Sequence, residues 1–238
     1  MELKGKVLEV NLLTPEQKEA MFKLLHANFE NVTAALFEKD LLEKHWVILL
    51  EDVVTGNIKG FSTQMLLEAK VEDETVRAIF SGDTIIDKSY WGGNELVKCW
   101  FHLVFSLMDK YDKSKLYWFL ISMGYKTYRF LPVYFKNFYP CFDKITPALE
   151  KKVMDTFAYL KYPKDYDNQS GLIRFSEKAV YLKKGIAEVE TFRLKDPHIK
   201  FFVEKNPLYT NGDELPCLAE LSYYNFKPVV YKMMPRRK

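Results

Sequence analysis

Hydrophobic positions along the chain recur first at helical spacing and then at the two-residue spacing of strands, an order that predicts a mixed α/β protein. Residues 6–12 read as a short strand. Thr14-Pro15-Glu16-Gln17 then supplies a helix start, with a capping threonine, proline at the first position and glutamine three residues after the cap. Met21, Phe22, Leu24, Leu25 and Phe29 give that helix an apolar face, and a second helix is expected over 33–44. From His45 the period changes: strands are expected over 46–50, 58–67 and 75–86, joined by the turn signal Thr55-Gly56-Asn57 and by the acidic loop around 71–74. The broad apolar face of 95–109 predicts a helix pressed against the sheet. A strand at 115–122 follows, then a helix over 126–137 interrupted by Pro132, and an amphipathic helix over 147–160. Residues 161–171 read as a loop, 197–205 as a helix, and 218–223 and 228–233 as two closing strands. No internal repeat or linker divides this order, so one domain is expected over 1–238.

Composition narrows the picture. The chain has 238 residues, enough for a continuous core without a metal or disulfide staple. Thirty-five basic residues against 32 acidic ones leave a net charge of only +3, and the charges are interspersed. This argues against a nucleic-acid binder, which needs a concentrated positive face; the basic end Arg236-Arg237-Lys238 reads as a solvent-facing terminus. Cys99, Cys141 and Cys217 are odd in number and far apart, unlike a disulfide framework or a zinc motif, so no metal is expected and a reducing compartment fits. With neither a signal-peptide stretch nor 18 consecutive apolar residues, a cytoplasmic protein without a membrane span is expected. Aromatic residues make up 16%, enough to line an apolar cleft as well as a core.

The segment Phe80-Ser81-Gly82-Asp83-Thr84-Ile85-Ile86-Asp87-Lys88-Ser89-Tyr90-Trp91-Gly92-Gly93-Asn94 carries the most chemistry. A strand leading through paired glycines into a helix can aim backbone amides and a helix N-terminus at a phosphate. It is neither a nucleotide-hydrolase loop nor a dinucleotide fingerprint. With the element order, the segment resembles the acyl-CoA-binding core of the GNAT superfamily of N-acyltransferases, over about residues 6–140, and the 116–140 block looks like a divergent bacterial branch of it. The resemblance implies a GNAT-like mixed, mostly antiparallel sheet with flanking helices and an elaborated C-terminal half. It also implies a splay between the fourth and fifth strands that takes a pantetheine arm. Thr84, Ile85 and Ile86 would then meet the arm, and Trp91, Gly92, Gly93 and Asn94 would form the phosphate loop. The family's Gln/Arg-x-x-Gly-x-Gly/Ala pattern is replaced here by Asp87-x-x-x-Trp91-Gly92-Gly93. Its arginine is missing, Lys88 or Lys98 being the cations nearby, so a carrier-protein donor, with one phosphodiester instead of a full nucleotide tail, becomes credible beside acyl-CoA.

Acyl transfer from a thioester to an amine needs a base and an acid for the departing thiolate. Asp83, beside Gly82, is the candidate base, and Asp87 an organiser of the loop. The resemblance places the acid on a tyrosine after the fifth strand, Tyr139 or Tyr134. His102 sits on a very apolar helix and reads as structural. Cys141 lacks the signature of a cysteine nucleophile. The expected activity is transfer of an acyl group from acyl-CoA or an acyl carrier protein, with no tightly bound cofactor, to an amine of a small molecule or peptide. A non-catalytic acyl-CoA or acyl-carrier binding module, or a homodimeric interaction protein, are the alternatives. The aromatic residues after 141 suit a longer acyl chain or simply a core.

Overall fold

The computed structural model describes residues 2–175, 180–186 and 188–234; the basic end 236–238 lies outside them. Strand β1, Leu3–Glu9, closes in a short turn of 3-10 helix at Val10–Leu12, so the first strand begins and ends earlier than its apolar pattern suggests. Helix α1, Pro15–Asn28, starts at the expected capping box: the Gln17 amide donates to Thr14 Oγ1 and the Thr14 amide to Gln17 Oε1. Thr33 caps α2, Ala34–Leu42, in the same way. Three antiparallel strands follow, β2 (Trp46–Asp52), β3 (Ile58–Val71) and β4 (Glu74–Ile86). Helix α3, Glu95–Lys110, crosses over to β5, Leu116–Ser122, which pairs with β4 in parallel. A parallel pair requires such a crossover, and α3 supplies it.

The six strands lie in chain order, ending with β6, Leu215–Glu220, antiparallel to β5. This is a GNAT-like mixed α/β topology, with the β4–β5 pair parallel and the other pairs in the sheet antiparallel. One face carries α3 together with α4 (Tyr125–Tyr128), α5 (Phe130–Tyr134) and α7 (Pro197–Lys205). The other carries α1 and α2 over one end and α6, Ala148–Lys161, over the rest. Parity along the strands sorts side chains between the faces. Ile79, Trp118 and Leu120 enter the α3 core, whereas Ala78, Phe80, Tyr117 and Phe119 enter the α6 core.

Two expectations near the C-terminus need correction. The first closing strand is shifted to 215–220, and 228–233 is no strand: Pro228–Tyr231 forms a single helical turn, α8. The free edge of β6 is already occupied, because Tyr139 exchanges both backbone hydrogen bonds with Leu218 and Phe135 bridges to Phe226. Pro228, with no amide to give to a ladder, instead opens a helical turn at its first position. The helix expected over 126–137 is likewise split into α4 and α5, and Phe135 is extended so that it can reach Phe226.

Candidate functional site

The parallel pairing of β4 with β5 runs from Arg77–Leu116 to Ser81–Leu120 and stops there, while β4 continues to Ile86. At the same point the β3–β4 register slips. Ser62 faces Thr84 and Gln64 faces Ser81, so Gly82 and Asp83 together oppose Thr63. That bulge bends β4 away from β5. Gly82 is required at the bend: a Cβ there would lie 2.6 Å from Thr63 Oγ1 and 2.8 Å from Lys44 Cε.

The opened seam holds a small cleft of about 50 Å³. Ser62, Ser81, Gly82 and Thr84 line it from the sheet, Trp100 and Phe101 from α3, and Thr127, Phe130 and Tyr134 from α4 and α5. A polar ladder runs beneath the aromatic wall. Trp118 Nε1 donates to Ser81 Oγ (2.9 Å), which donates to Gln64 Oε1 (2.7 Å), where Trp100 Nε1 also ends (3.1 Å). Gln64 Nε2 donates to Ser62 Oγ (2.7 Å), and the Ser62 and Thr84 hydroxyls share a 2.7 Å bond. Every polar group of the buried Gln64 side chain is thereby satisfied, which keeps an amide in an otherwise apolar floor. Of the three residues expected along a pantetheine arm, Thr84 lines the cleft. Ile85 turns into the opposite core, and the Ile86 carbonyl is taken by Trp91 Nε1 at 2.8 Å.

At the outer end of the same seam lies the loop into α3. Asp87 accepts from the Ser89 amide and hydroxyl, which holds its carboxyl below the usual range and braces the turn. Gly92 has φ +95°, a conformation that favours glycine, whereas Gly93 does not, and a Cβ there would make only ordinary contact with the Tyr90 carbonyl oxygen at 3.6 Å. Asn94 precedes α3 without a side-chain cap, leaving the first amides of the helix without that partner. Lys98 is bound to Glu95. The cations at the loop come mostly from elsewhere. Lys126 of α4 sits 3.8 Å over the Trp91 ring, with Lys88 nearby, and with Arg129 and Arg193 paired to Asp196 and Glu190. Burial, then Lys88 and Arg193, lower the Lys126 pKa, and Glu190 opposes them, so the rim mixes both charges. Neighbouring residues of α4 thus serve both ends of the seam, Thr127 the inner and Lys126 the outer.

Asp83 faces the other side of the sheet, toward α2 and α6. Burial, reinforced by the Asp40 carboxylate and partly offset by the Lys44 ammonium, raises its pKa to about 6. At that value the carboxyl is mostly ionised at neutral pH. The two candidate tyrosines lie apart. Tyr134 lines the cleft, half-buried, its ring edge-on to Phe101 and its phenol pKa raised by burial. Tyr139 is hydrogen-bonded along the outer edge of β6, so β5 and β6 stand between it and β4. Tyr128, fully buried, donates to the Pro140 carbonyl at 2.9 Å and holds the turn. Cys141 Sγ donates to Asp143, and burial pushes its pKa up to about 11, so it is no ready thiolate. His102 meets the Met233 carbonyl. Among the described residues no group of three or more His, Cys, Asp or Glu side chains is placed to hold a metal ion, and no helix is long and apolar enough to cross a membrane.

Sequence reasoning did not find the Ser62–Gln64 ladder or the Lys126–Arg129–Arg193 rim. The ladder had a signal: Ser62-Thr63-Gln64 is a polar run in the middle of an apolar strand. The rim had none, since Arg193 is distant in sequence from the loop.

No family model and no curated protein matches the chain. Among solved structures it is similar to a conserved protein of unknown function from Enterococcus faecalis, described as a probable N-acyltransferase, at 15% identity and TM-score 0.43 over 57% of this chain and 33% of that one. It is similar to a GNAT family N-acetyltransferase from Escherichia coli in complex with CoA at 16% identity and TM-score 0.36, over 53% and 66% of the two chains. A third is Saccharomyces cerevisiae N-myristoyltransferase with bound myristoyl-CoA, at 15% identity and TM-score 0.39, over 52% and 34%. The chain spans 33% of the length of the first and 66% of the second.

Proposed function

We propose that the protein transfers an acyl group from a thioester, of CoA or of a carrier-bound phosphopantetheine, to an amine. The observation that carries this reading is the cleft where β4 parts from β5. Gly82 of the bulge lines it, and Asp83, the next residue, stands on the opposite face of the sheet. A donor would lay its phosphate against the loop 91–94 and the Lys126 rim, and its arm along Ser62, Ser81 and Thr84. The acceptor would reach the thioester from the α2 and α6 side, where Asp83 stands.

In the reaction the amine nitrogen attacks the thioester carbonyl carbon, Asp83 takes the proton the nitrogen sheds, and the carbon–sulfur bond breaks. Tyr134, kept protonated by its burial, gives its proton to the departing thiolate. Orientation of the two substrates from opposite faces supplies the rest.

The test is a single-turnover assay with acyl-CoA and acyl-carrier donors over a panel of amines. Asp83→Asn should lower the transfer rate on the order of 10²-fold while donor affinity stays within about twofold. Tyr134→Phe should slow transfer, and Tyr139→Phe, two strands away, should not. Full activity of D83N and Y134F would remove both assignments; tight donor binding with no amine acylated by the unaltered protein would make it a binding module.

A further inference from the structure

Two stretches of the chain hold no Asp or Glu, residues 113–142 and 221–238, and each carries five lysines and arginines. The fold joins them. The Lys136 amide donates to the Asn225 carbonyl, the Lys227 amide to the Tyr134 carbonyl, and the Asn137 amide to Asn225 Oδ1. On the surface so formed, three lysines are fixed by oxygens that carry no charge. Lys136 Nζ donates to the Tyr224 carbonyl (2.8 Å) and Lys227 Nζ to the Pro132 carbonyl (2.5 Å). Lys144 Nζ donates to the Lys136 carbonyl (3.0 Å) and to Asn137 Oδ1 (2.8 Å). Neither these three nor Lys232 forms an ion pair among the described residues. Asp143, beside Lys144 in the chain, accepts from the Cys141 thiol. An ammonium has three N–H donors, so Lys136 and Lys227 each keep two to offer.

Between the lysines the surface is apolar. Val133, Phe142, Ile145, Tyr224, Val229 and Tyr231 are exposed, Ile145 at 93% and Tyr224 at 91%. Tyr231 donates to the Tyr223 carbonyl, which draws α8 against the residues before it. Exposed apolar side chains gathered among cations mark an interaction surface. Its place in the fold ties it to the cleft. Helix α5 turns Phe130 and Tyr134 into the cleft and leaves Val133 outside. Lys126, at the rim by the loop 91–94, lies seven residues before Val133, about 10 Å at the rise of a helix.

We propose that this surface docks an acidic protein that carries the acyl group on a phosphopantetheine arm, so that the donor is carrier-bound in preference to free CoA. The inference rests on the reading of the cleft as an acyl-donor site. A free donor has no use for a surface outside the cleft, whereas a carrier must hold its own body there while its arm enters. Carboxylates of the carrier meet Lys136, Lys227 and Lys232, and its apolar residues cover Val133 and Tyr224. The main-chain carbonyls have already oriented Lys136 and Lys227, so less side-chain freedom is lost on docking. An anionic membrane also attracts lysines, but its diffuse charge draws no benefit from ammonium groups held in fixed places.

Calorimetry with no amine present tests this apart from acyl transfer, using three probes that bear the same acetyl group: an acidic bacterial acyl carrier protein, free phosphopantetheine and CoA. The carrier should bind at least about tenfold tighter than acetyl-phosphopantetheine, and that advantage should shrink as salt is raised. Lys136→Glu combined with Lys232→Glu should weaken the carrier at least about tenfold and leave both free donors within about twofold, which also shows that the variant folds. Tyr224→Ala, which removes a side chain that is 91% exposed, should weaken the carrier alone. A carrier that binds no tighter than the free arm, a preference that salt and both variants leave untouched, or lysine-dependent binding to phosphatidylglycerol vesicles in place of the carrier would overturn the proposal. Tight acetyl-CoA with the carrier unbound would overturn the docking surface and leave the acyl-transfer reading standing; failure of all three donors would overturn both.

Discussion

At the residue scale the bulge sets the character of Asp83. Without the extra residue opposite Thr63 the alternation would be unbroken and the strand would not turn away from β5 where it does. The consequence for stability can be signed. In the folded protein the Asp83 pKa is about 6, above its ordinary 3.8, so between those values the folded state holds a proton that the unfolded chain has released. Stability contributed by this group is present at low pH and is lost as pH rises from 3.8 through about 6. Asp83→Asn should therefore be more stable than the unaltered protein at neutral pH, by about 2 kcal/mol. The difference should close in acid. Thermal melts across this range check it, and a difference that did not change with pH would show the carboxyl to be well solvated.

At the element scale, the loop between β4 and α3 separates conformational demand from contact. Gly92 occupies the left-handed region and Gly93 does not, while a Cβ on Gly93 meets nothing closer than the Tyr90 carbonyl oxygen at 3.6 Å. Gly92→Ala should cost about 1–2 kcal/mol of stability and weaken the donor. Gly93→Ala should leave the melting temperature unchanged or slightly raised yet still weaken the donor, because the new methyl intrudes where the amides face the phosphate. Unchanged donor affinity in G93A by calorimetry would move the phosphate off this loop. Elements read from local signals stand where expected: the capping box of α1, the Thr33 cap of α2, the turn at Thr55–Asn57 and the long face of α3. The segment 228–233 misleads because Val229, Val230 and Tyr231 look like a strand, while the edge they would join is held by Tyr139. No periodicity within a segment reports that its place in a sheet is taken.

At the scale of the whole molecule, the C-terminal half is part of the same core. Leu215, Cys217 and Phe226, all fully buried, belong with Phe101, Phe135 and Phe202 to the cluster on the α3 face. Val153, Phe157 and Leu218 complete the opposite one. A chain ending at residue 140 loses β6, α6 and α7. It should not unfold cooperatively, because the α6 face of β5 and its edge toward β6 would meet water. Circular dichroism melts of that fragment check this, and a sharp transition would mean that residues 6–140 are a self-sufficient core.

What the sequence alone determined about this protein is what short-range physics encodes: helix starts, the strand pattern from 46 to 86, the glycine loop, and an alternation of strands and helices that implies one α/β domain. Candidate acid and base could be named, since a carboxyl beside a strand glycine and tyrosines after the next strand are visible in order. Which face Asp83 takes, and which tyrosine lines the cleft, only the tertiary structure decided. A bulge resets parity for every residue after it, and a sheet edge accepts the segment that reaches it. The Lys126 rim also belongs to tertiary structure alone, because it gathers charges from segments whose closeness comes from packing of distant elements. Charges brought together in this way leave no pattern along the chain.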